Sequence, residues 1–507
     1  MPAVTSNQES ARTGVAGQDT GPPLPPVAAI PVALVVAAKI VGSMAFAGRY
    51  GFQRDELYYL ACARHLAWGY VDFPAVVPAL ARLNVLIFGT GVATLRLFSV
   101  LAGAMVIVLA ALTAREMGGG PQAQTLTAFA VLFNPLILGA NILFQTVSFD
   151  QLTWALVIYI AVRLLRTGDE RLWPALGLAC GLGLETKYTI LALAIGLAAG
   201  LIRSPQRHLL RTRGPLVAAG IASLILLPNL IWQVQHSWPS LTYVLQHSGD
   251  TGTRLQFILE TLLLLGPIGI PLAALGYREL FSQPWLRPVA SASLLTPLLL
   301  LAVNGKSYYA GPVYPLLLAA GSVGAVRLFA RHRLTFAVVL SLLTAVTGLL
   351  VPLALPVLPL RQAVSKGIIS ARKDYADMLG WQGIAADVAR AYRGLPPGER
   401  ERAAIVAANY GEAGAVDLYD AHRGPPPTIS GDLTYALWKP ARVPDSTVVA
   451  VGFPRWFMDR YYRSVTLSSR IRMPYGVRNE EAGLPILICR NPRTSFAVFF
   501  AHIRGWG

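Results

Sequence analysis

Residues 49–84 read RYGFQRDELYYLACARHLAWGYVDFPAVVPALARLN. They gather Asp55, Glu56, Asp72, Arg54, Arg64, Arg82 and His65 between two segments long and apolar enough to cross a bilayer. Ionisable side chains are costly near lipid, so this concentration at a membrane face marks a site, and the rest of the chain reads as its scaffold. Asp55 to Leu66 contains no Gly or Pro and is rich in Leu, Ala and Tyr, which predicts a helix. At helical spacing Asp55, Tyr58, Tyr59, Cys62 and His65 or Leu66 share a face. Gly69 is expected to end that helix. Asp72-Phe73-Pro74 is expected to form an extended turn, because the residue before a proline is pushed out of the helical region, with a second helix following from Pro78. Asp55 on a helix start and Asp72 on a turn should then converge on one pocket.

Outward from this loop, the chain of 507 residues is 54% hydrophobic and 14% charged. Apolar runs of bilayer-spanning length recur through the first 358 positions. The spans are expected at 27–48, 92–114, 122–140, 151–166, 172–186, 188–203, 215–234, 256–276, 288–303, 308–328 and 334–358. This is an α-helical polytopic membrane protein with about eleven transmembrane helices. Residues 1–26 are polar and aperiodic and lack the basic start and cleavage site of a signal peptide, so a disordered cytoplasmic tail is expected there. The net charge of +17 needs no nucleic-acid partner, because the basic residues of the membrane part fall into short loops.

Those loops set the orientation. Arg115; Arg163, Arg166 and Arg171; Arg203, Arg207, Arg211 and Arg213; Arg278 and Arg287; and Arg327, Arg331 and Arg333 occupy one alternating set, which the positive-inside rule makes cytoplasmic. The 49–90 loop, the 141–150 loop, the 235–255 loop and NGKSYYAGP at 304–312 then lie on the outer face of the plasma (inner) membrane. After Pro359 the composition turns soluble, with twenty basic and thirteen acidic residues. AAIVAA (403–408) and TVVAVG (447–452) read as buried strands, Glu412 to Tyr419 as a helix and RGPPP (423–427) as a loop, which predicts a small extracytoplasmic α/β domain over 360–507. Asn409, Tyr410 and Glu412 read there as caps and turn residues. The three cysteines, Cys62, Cys180 and Cys489, are scattered, and no disulfide framework or cysteine metal site is expected.

Four local stretches on this topology carry a resemblance: RDELYYLACARHL after the first span, GYVDFP in the same loop, LETKYT at 184–189 and GKSYYAGPVYP at 305–315. Over residues 27–358 the chain resembles membrane glycosyltransferases of the GT-C fold, family 39, which includes protein O-mannosyltransferases and lipid A aminoarabinose transferases. The resemblance implies a polyprenyl-phosphate sugar donor, an acceptor that is a lipid, a glycan or a protein, and inversion at the anomeric carbon. It also implies an acidic residue of the first outer loop at the reacting sugar, matched here by Asp55, and a second acid before a proline, matched by Asp72. The arabinose transferases carry a lysine between that acid and the proline; Phe73 stands here, so another cation must meet the phosphate.

The chemistry of such a transfer fits named residues. An attacking hydroxyl needs a base within hydrogen-bond reach, and Asp55 is the choice, with Asp72 and Glu56 as the accompanying acidic candidates. The departing phosphate needs preorganised cations and hydroxyl donors, for which Lys306, Tyr308 and Tyr309 are the candidates and Lys187 the next. Each has a plainer reading. Asp55 could cap the helix, Glu56 could serve the helix dipole, Asp72 could only shape its turn, and Glu185 could pair with Lys187. Lys306 and the tyrosines could be interfacial anchors. No metal or other cofactor is expected, since Asp150 stands without an acidic cluster and the histidines lack ligand spacing. A transporter or lipid flippase is the alternative, disfavoured because no internal repeat is visible and the charges collect at one surface.

Overall fold

The computed structural model describes residues 24–247, 252–419, 426–438 and 447–505. Most of the expected tail (residues 1–23) and positions 423–425 of the expected 423–427 loop lie outside the described residues. Among the described residues seven helices are long and apolar enough to cross a bilayer: Ala29–Ala47, Val92–Glu116, Thr146–Thr167, Gly214–Gln235, Arg254–Ser282, Pro284–Ala302 and Ser307–Leu328. Leu172–Leu184, Ile190–Ile202 and Arg333–Leu349 are apolar but shorter. A helix of 13 residues, the length of the first two, rises about 20 Å against a hydrocarbon core of about 30 Å. The eleven uniform spans of the sequence reading are therefore seven full-length ones supplemented by shorter helices.

The departures have local causes. The span expected at 122–140 is broken into Pro121–Leu132 and Pro135–Ala140. Asn134 caps the second piece, accepting from the Ile137 N–H at 3.1 Å, and Pro135 at its first position has no N–H to continue the helix before it. The Asn134 amide also donates to the carbonyls of Leu264 and Leu265 (3.2 and 3.1 Å), where Arg254–Ser282 kinks at Gly266 ahead of Pro267. The helix expected from 308 first winds as a tighter 3-10 segment, Ser307–Val313, containing Gly311 and Pro312, and becomes α-helical at Tyr314.

After residue 359 a five-stranded sheet forms from β1 (Ala404–Ala407), β2 (Ile429–Ser430), β3 (Thr447–Val451), β4 (Tyr462–Arg470) and β5 (Pro485–Pro492), in the order β2-β1-β3-β5-β4. The two expected strands are β1 and β3, paired in parallel with Ala404 opposite Val448, and the expected helix is Tyr410–Tyr419. Both strands are buried along their whole length, and side chains alternate between two cores. Ala404, Val406, Val448 and Ala450 pack with Phe453, Phe457 and Phe499. Ile405, Ala407, Val449 and Val451 share a core with Leu57, Tyr58 and Tyr59 of the 49–90 loop. The sheet and the loop are thus held by one apolar cluster, which brings residues near 55 and near 410 together.

Candidate active site

The helix predicted over 55–66 runs Arg54–Arg64, and its cap is Gln53. The Gln53 side chain accepts from the Asp55 N–H at 2.7 Å while Glu56 reaches back to the Gln53 N–H at 2.8 Å, a reciprocal capping box. Asp55 is therefore not the cap, and its carboxyl faces a cavity. The chain leaves the helix at His65, ahead of Gly69, and turns back on itself, with Gly69 bridged to Pro74 and the Tyr70 N–H donating to the Phe73 carbonyl at 3.1 Å. The second helix is Val76–Phe88, two residues earlier than its expected start. Asp72 sits on the turn between them.

The cavity has a volume of about 1180 Å³. Asp55, Asp72, Lys187, Lys306, Tyr308 and Tyr309 all line it, so six of the seven residues singled out from sequence meet at one place. Glu56, an acidic candidate by sequence, is the exception and does not line the cavity. Its carboxylate is wholly buried and consumed by structure, accepting from the Arg96 guanidinium on both oxygens (2.8 and 2.8 Å) and from the N–H groups of Gln53 and Phe144 (both 2.8 Å). Arg96 also donates to the carbonyls of Ala47 and Gly51 (both 2.7 Å), which ties the end of the first span to the site helix. The signal for this clamp was in the sequence: Arg96 is an arginine inside the apolar run at 92–116.

On the membrane side, the Lys187 ammonium lies 3.8 Å from the Tyr309 ring centroid and 5.5 Å from that of Tyr308, and the two rings meet edge to face at 4.7 Å. Glu185 does not pair with Lys187; it accepts instead from the Ala75 N–H (3.4 Å), under the turn that holds Asp72. Asp150 lies buried inside the Thr146–Thr167 helix, accepting from the Thr189 hydroxyl at 3.1 Å. Phe73, at the position of the missing lysine, packs among Tyr58, Tyr59 and Tyr70.

The opposite wall comes from the C-terminal sheet and the helices before it, and sequence reasoning missed it. Asp374, Asp377, Asn409, Tyr410, Asp432, Glu480 and Arg504 face the same cavity. Arg54 pairs with Glu480, which also takes Lys373 at 2.5 Å. The Tyr58 hydroxyl spans Asp72 Oδ1 (3.0 Å) and Thr434 Oγ1 (2.6 Å) and accepts from the Thr434 N–H (3.1 Å). The Tyr410 hydroxyl donates to Asp55 Oδ1 at 2.6 Å.

The two carboxyls are electrostatically unequal. Burial pushes Asp72 up to about 8, the Tyr58 hydroxyl opposes this, and the neighbouring Asp55 adds to the rise, so Asp72 keeps its proton at neutral pH. Burial raises Asp55 as well, but the Tyr410 hydroxyl, Arg54 and Lys306 all favour its charged form. One cavity thus brings together two carboxyl groups in unequal surroundings, two lysines and two tyrosines.

The family described as dolichyl-phosphate-mannose-protein mannosyltransferase matches residues 72–232. A lipid A galacturonosyltransferase, RgtD of Rhizobium johnstonii, is 25% identical over 211 residues, 41% of this chain, and the aligned part spans 44% of that relative's length. Among solved structures, ArnT from Cupriavidus metallidurans bound to undecaprenyl phosphate superposes with a TM-score of 0.60 at 15% identity, covering 90% of this chain and 97% of that one. The arabinofuranosyltransferase AftD from Mycobacteria matches with a TM-score of 0.53 at 15% identity, covering 91% of this chain and 40% of that one. The chain is a polytopic membrane protein with the GT-C fold of these solved structures, and its residues 72–232 match the family described as dolichyl-phosphate-mannose-protein mannosyltransferase.

Proposed function

We propose that this chain transfers a sugar from a polyprenyl-phosphate donor to an acceptor hydroxyl at the outer face of the plasma membrane, with inversion at the anomeric carbon. The observation that carries this reading is the single cavity in which Asp55 and Asp72 face Lys187, Lys306, Tyr308 and Tyr309 at the edge of the apolar bundle. The family domain and the similarity to a lipid A galacturonosyltransferase support the reaction class. The fold match to a protein crystallised with undecaprenyl phosphate makes that carrier lipid the first donor to test.

In the proposed step the acceptor oxygen attacks the anomeric carbon as Asp55 takes its proton, and the bond from that carbon to the phosphate oxygen breaks. The electron pair leaves with the phosphate, where Lys306 and Lys187 meet the growing negative charge and the tyrosine hydroxyls donate to it. Asp72, holding its proton, donates a hydrogen bond to the sugar. Because Phe73 supplies no cation, Lys187 and Lys306 carry the phosphate contact between them.

The test is transfer by purified protein or membranes from undecaprenyl-phosphate-linked galacturonic acid or mannose, with lipid A and host-membrane lipid extract as acceptors. Asp55→Asn is expected to lower kcat/KM by about 10²–10⁴-fold, the usual worth of a positioned general base. Lys306→Met is expected to weaken retention of undecaprenyl phosphate. Transfer at the wild-type rate by Asp55→Asn removes the carboxylate from the mechanism.

A further inference from the structure

Tyr410 belongs to the C-terminal sheet region, at the first position of the Tyr410–Tyr419 helix that follows β1, and its sequence context gives it only the look of a turn residue. Its surroundings fix it firmly. The Tyr410 backbone N–H donates to Asp432 Oδ2 at 3.1 Å. The ring lies tilted against Tyr58 with centroids 4.9 Å apart, and the Arg54 guanidinium sits 5.4 Å from its centroid. Behind it the helix meets the Arg54–Arg64 helix without room for a side chain: a Cβ on Gly411 would lie 2.5 Å from Arg54 Cγ, and one on Gly414 3.0 Å from Leu57 Cβ. Asn409, the neighbouring residue, does the capping, its Oδ1 accepting from the Glu412 N–H at 2.9 Å. The Tyr410 hydroxyl is left for another purpose, and among the described residues it is the side-chain donor that Asp55 has.

We infer that Tyr410 is a positioning residue for the transfer reaction, holding Asp55 Oδ1 so that Oδ2 is presented to the acceptor hydroxyl as the proton-accepting oxygen. This rests on Asp55 being the base of the proposed reaction. A hydrogen bond to a carboxylate favours the charged form, so the contact also keeps Asp55 ionised at lower pH than burial alone allows. The other charged and titratable groups facing Asp55 are Arg54 on its own helix, Asp374, Lys306, Asp72, Tyr59, Tyr243 and Tyr308. Arg54 and Lys306 act in the same direction as Tyr410, whereas the two aspartates oppose it. The loss of Tyr410 is therefore felt as one contribution among several, most strongly on the acidic side.

The experiment pairs kinetics with a direct titration. Tyr410→Phe retains the ring and removes the hydroxyl. In the donor–acceptor pair that the wild type turns over, it is expected to lower kcat/KM about tenfold on the acidic limb, while the profiles converge at high pH and binding of undecaprenyl phosphate is unchanged. Independently of turnover, infrared titration of the purified protein is expected to show the Asp55 carboxyl band, identified by its loss in Asp55→Asn, with its midpoint moved upward in Tyr410→Phe. Gly411→Ala, which pushes the helix off Arg54 without touching the hydroxyl, is expected to give the same signature and serves if Tyr410→Phe does not accumulate. An unmoved Asp55 band with an unchanged pH profile overturns the inference, as does a uniform loss at every pH accompanied by weaker donor binding. If Asp55→Asn still transfers sugar, the base assignment falls and this inference with it; if Asp55→Asn is inactive and Tyr410→Phe is like wild type, only the role of Tyr410 falls.

Discussion

The Arg54–Arg64 and Tyr410–Tyr419 helices begin in the same way and are buried in opposite electrostatic company. Each has a glutamate in its first turn, Glu56 and Glu412, that is fully buried and accepts from the N–H of the residue preceding the helix, Gln53 in one and Asn409 in the other. Glu56 then meets Arg96, and each of its oxygens accepts two hydrogen bonds. Glu412 meets Glu481, itself buried, whose only described donor is the Asn409 amide at 3.1 Å, and one oxygen of each carboxyl has no partner among the described hydrogen bonds. Burial and the facing Glu481 hold Glu412 well above the usual carboxylate range, so this pair is stable when it retains a proton. A local cap motif, then, does not say whether the buried acid will be a permanent clamp or a protonated one; the residue opposite decides.

The largest expected effect comes from breaking the matched side. Arg96→Met leaves Glu56 buried without its counter-ion and is expected to cost about 3–5 kcal/mol, read as loss of folded protein from the membrane or a large drop in the thermal midpoint. On the other side, Gly452→Ala should cost about 1–3 kcal/mol by the same thermal measurement. The new Cβ would fall 2.2 Å from a Glu412 carboxyl oxygen at a backbone φ of 78°, a region that side chains other than glycine enter at a cost. The smallest effect has the opposite sign. Glu481→Gln replaces a repelling carboxyl with an amide that can donate to Glu412, and is expected to stabilise the protein at neutral pH by about 1 kcal/mol.

The comparison also predicts a pH dependence. A carboxyl whose folded-state value is raised contributes stability that is present at pH below the unfolded value and is lost as pH rises through the folded one. Stability of the wild type should therefore decline as pH rises above the ordinary glutamate range, and Glu481→Gln should flatten that decline. Thermal midpoints of the two proteins measured across pH 5–9 check this; parallel curves would mean that the pair carries no shared proton.

How much of the site could be read from the chain follows from contrast. Asp55, Asp72, Lys187 and Lys306 stand out because charge is rare in the apolar half, and the lysine–tyrosine segment is compact enough to be noticed as a unit. The strands β1 and β3 were legible because they are short, continuous apolar runs bounded by polar residues. Tyr410 and Asp432 were not legible, since nothing local marks a residue 355 positions away as the partner of Asp55. Average apolar composition also does not register where a helix breaks inside the membrane; the Asn134-Pro135 pair that divides the 121–140 run is flanked by apolar residues on both sides. The short helices Leu172–Leu184 and Ile190–Ile202 were separable only through the polar residues between them.

Because Gly411 packs against the Arg54 and Trp381 side chains and Gly414 against the Leu57 backbone, where the Tyr410–Tyr419 helix meets the Arg54–Arg64 helix, there is no clearance there for adjustment. A chimera that grafts the C-terminal half of a relative onto this bundle should work only when the donor half brings residues without side-chain bulk at both contact points. A library of such grafts, sorted for assembly, should enrich for that pair before it enriches for anything in the cavity lined by Asp55 and Asp72.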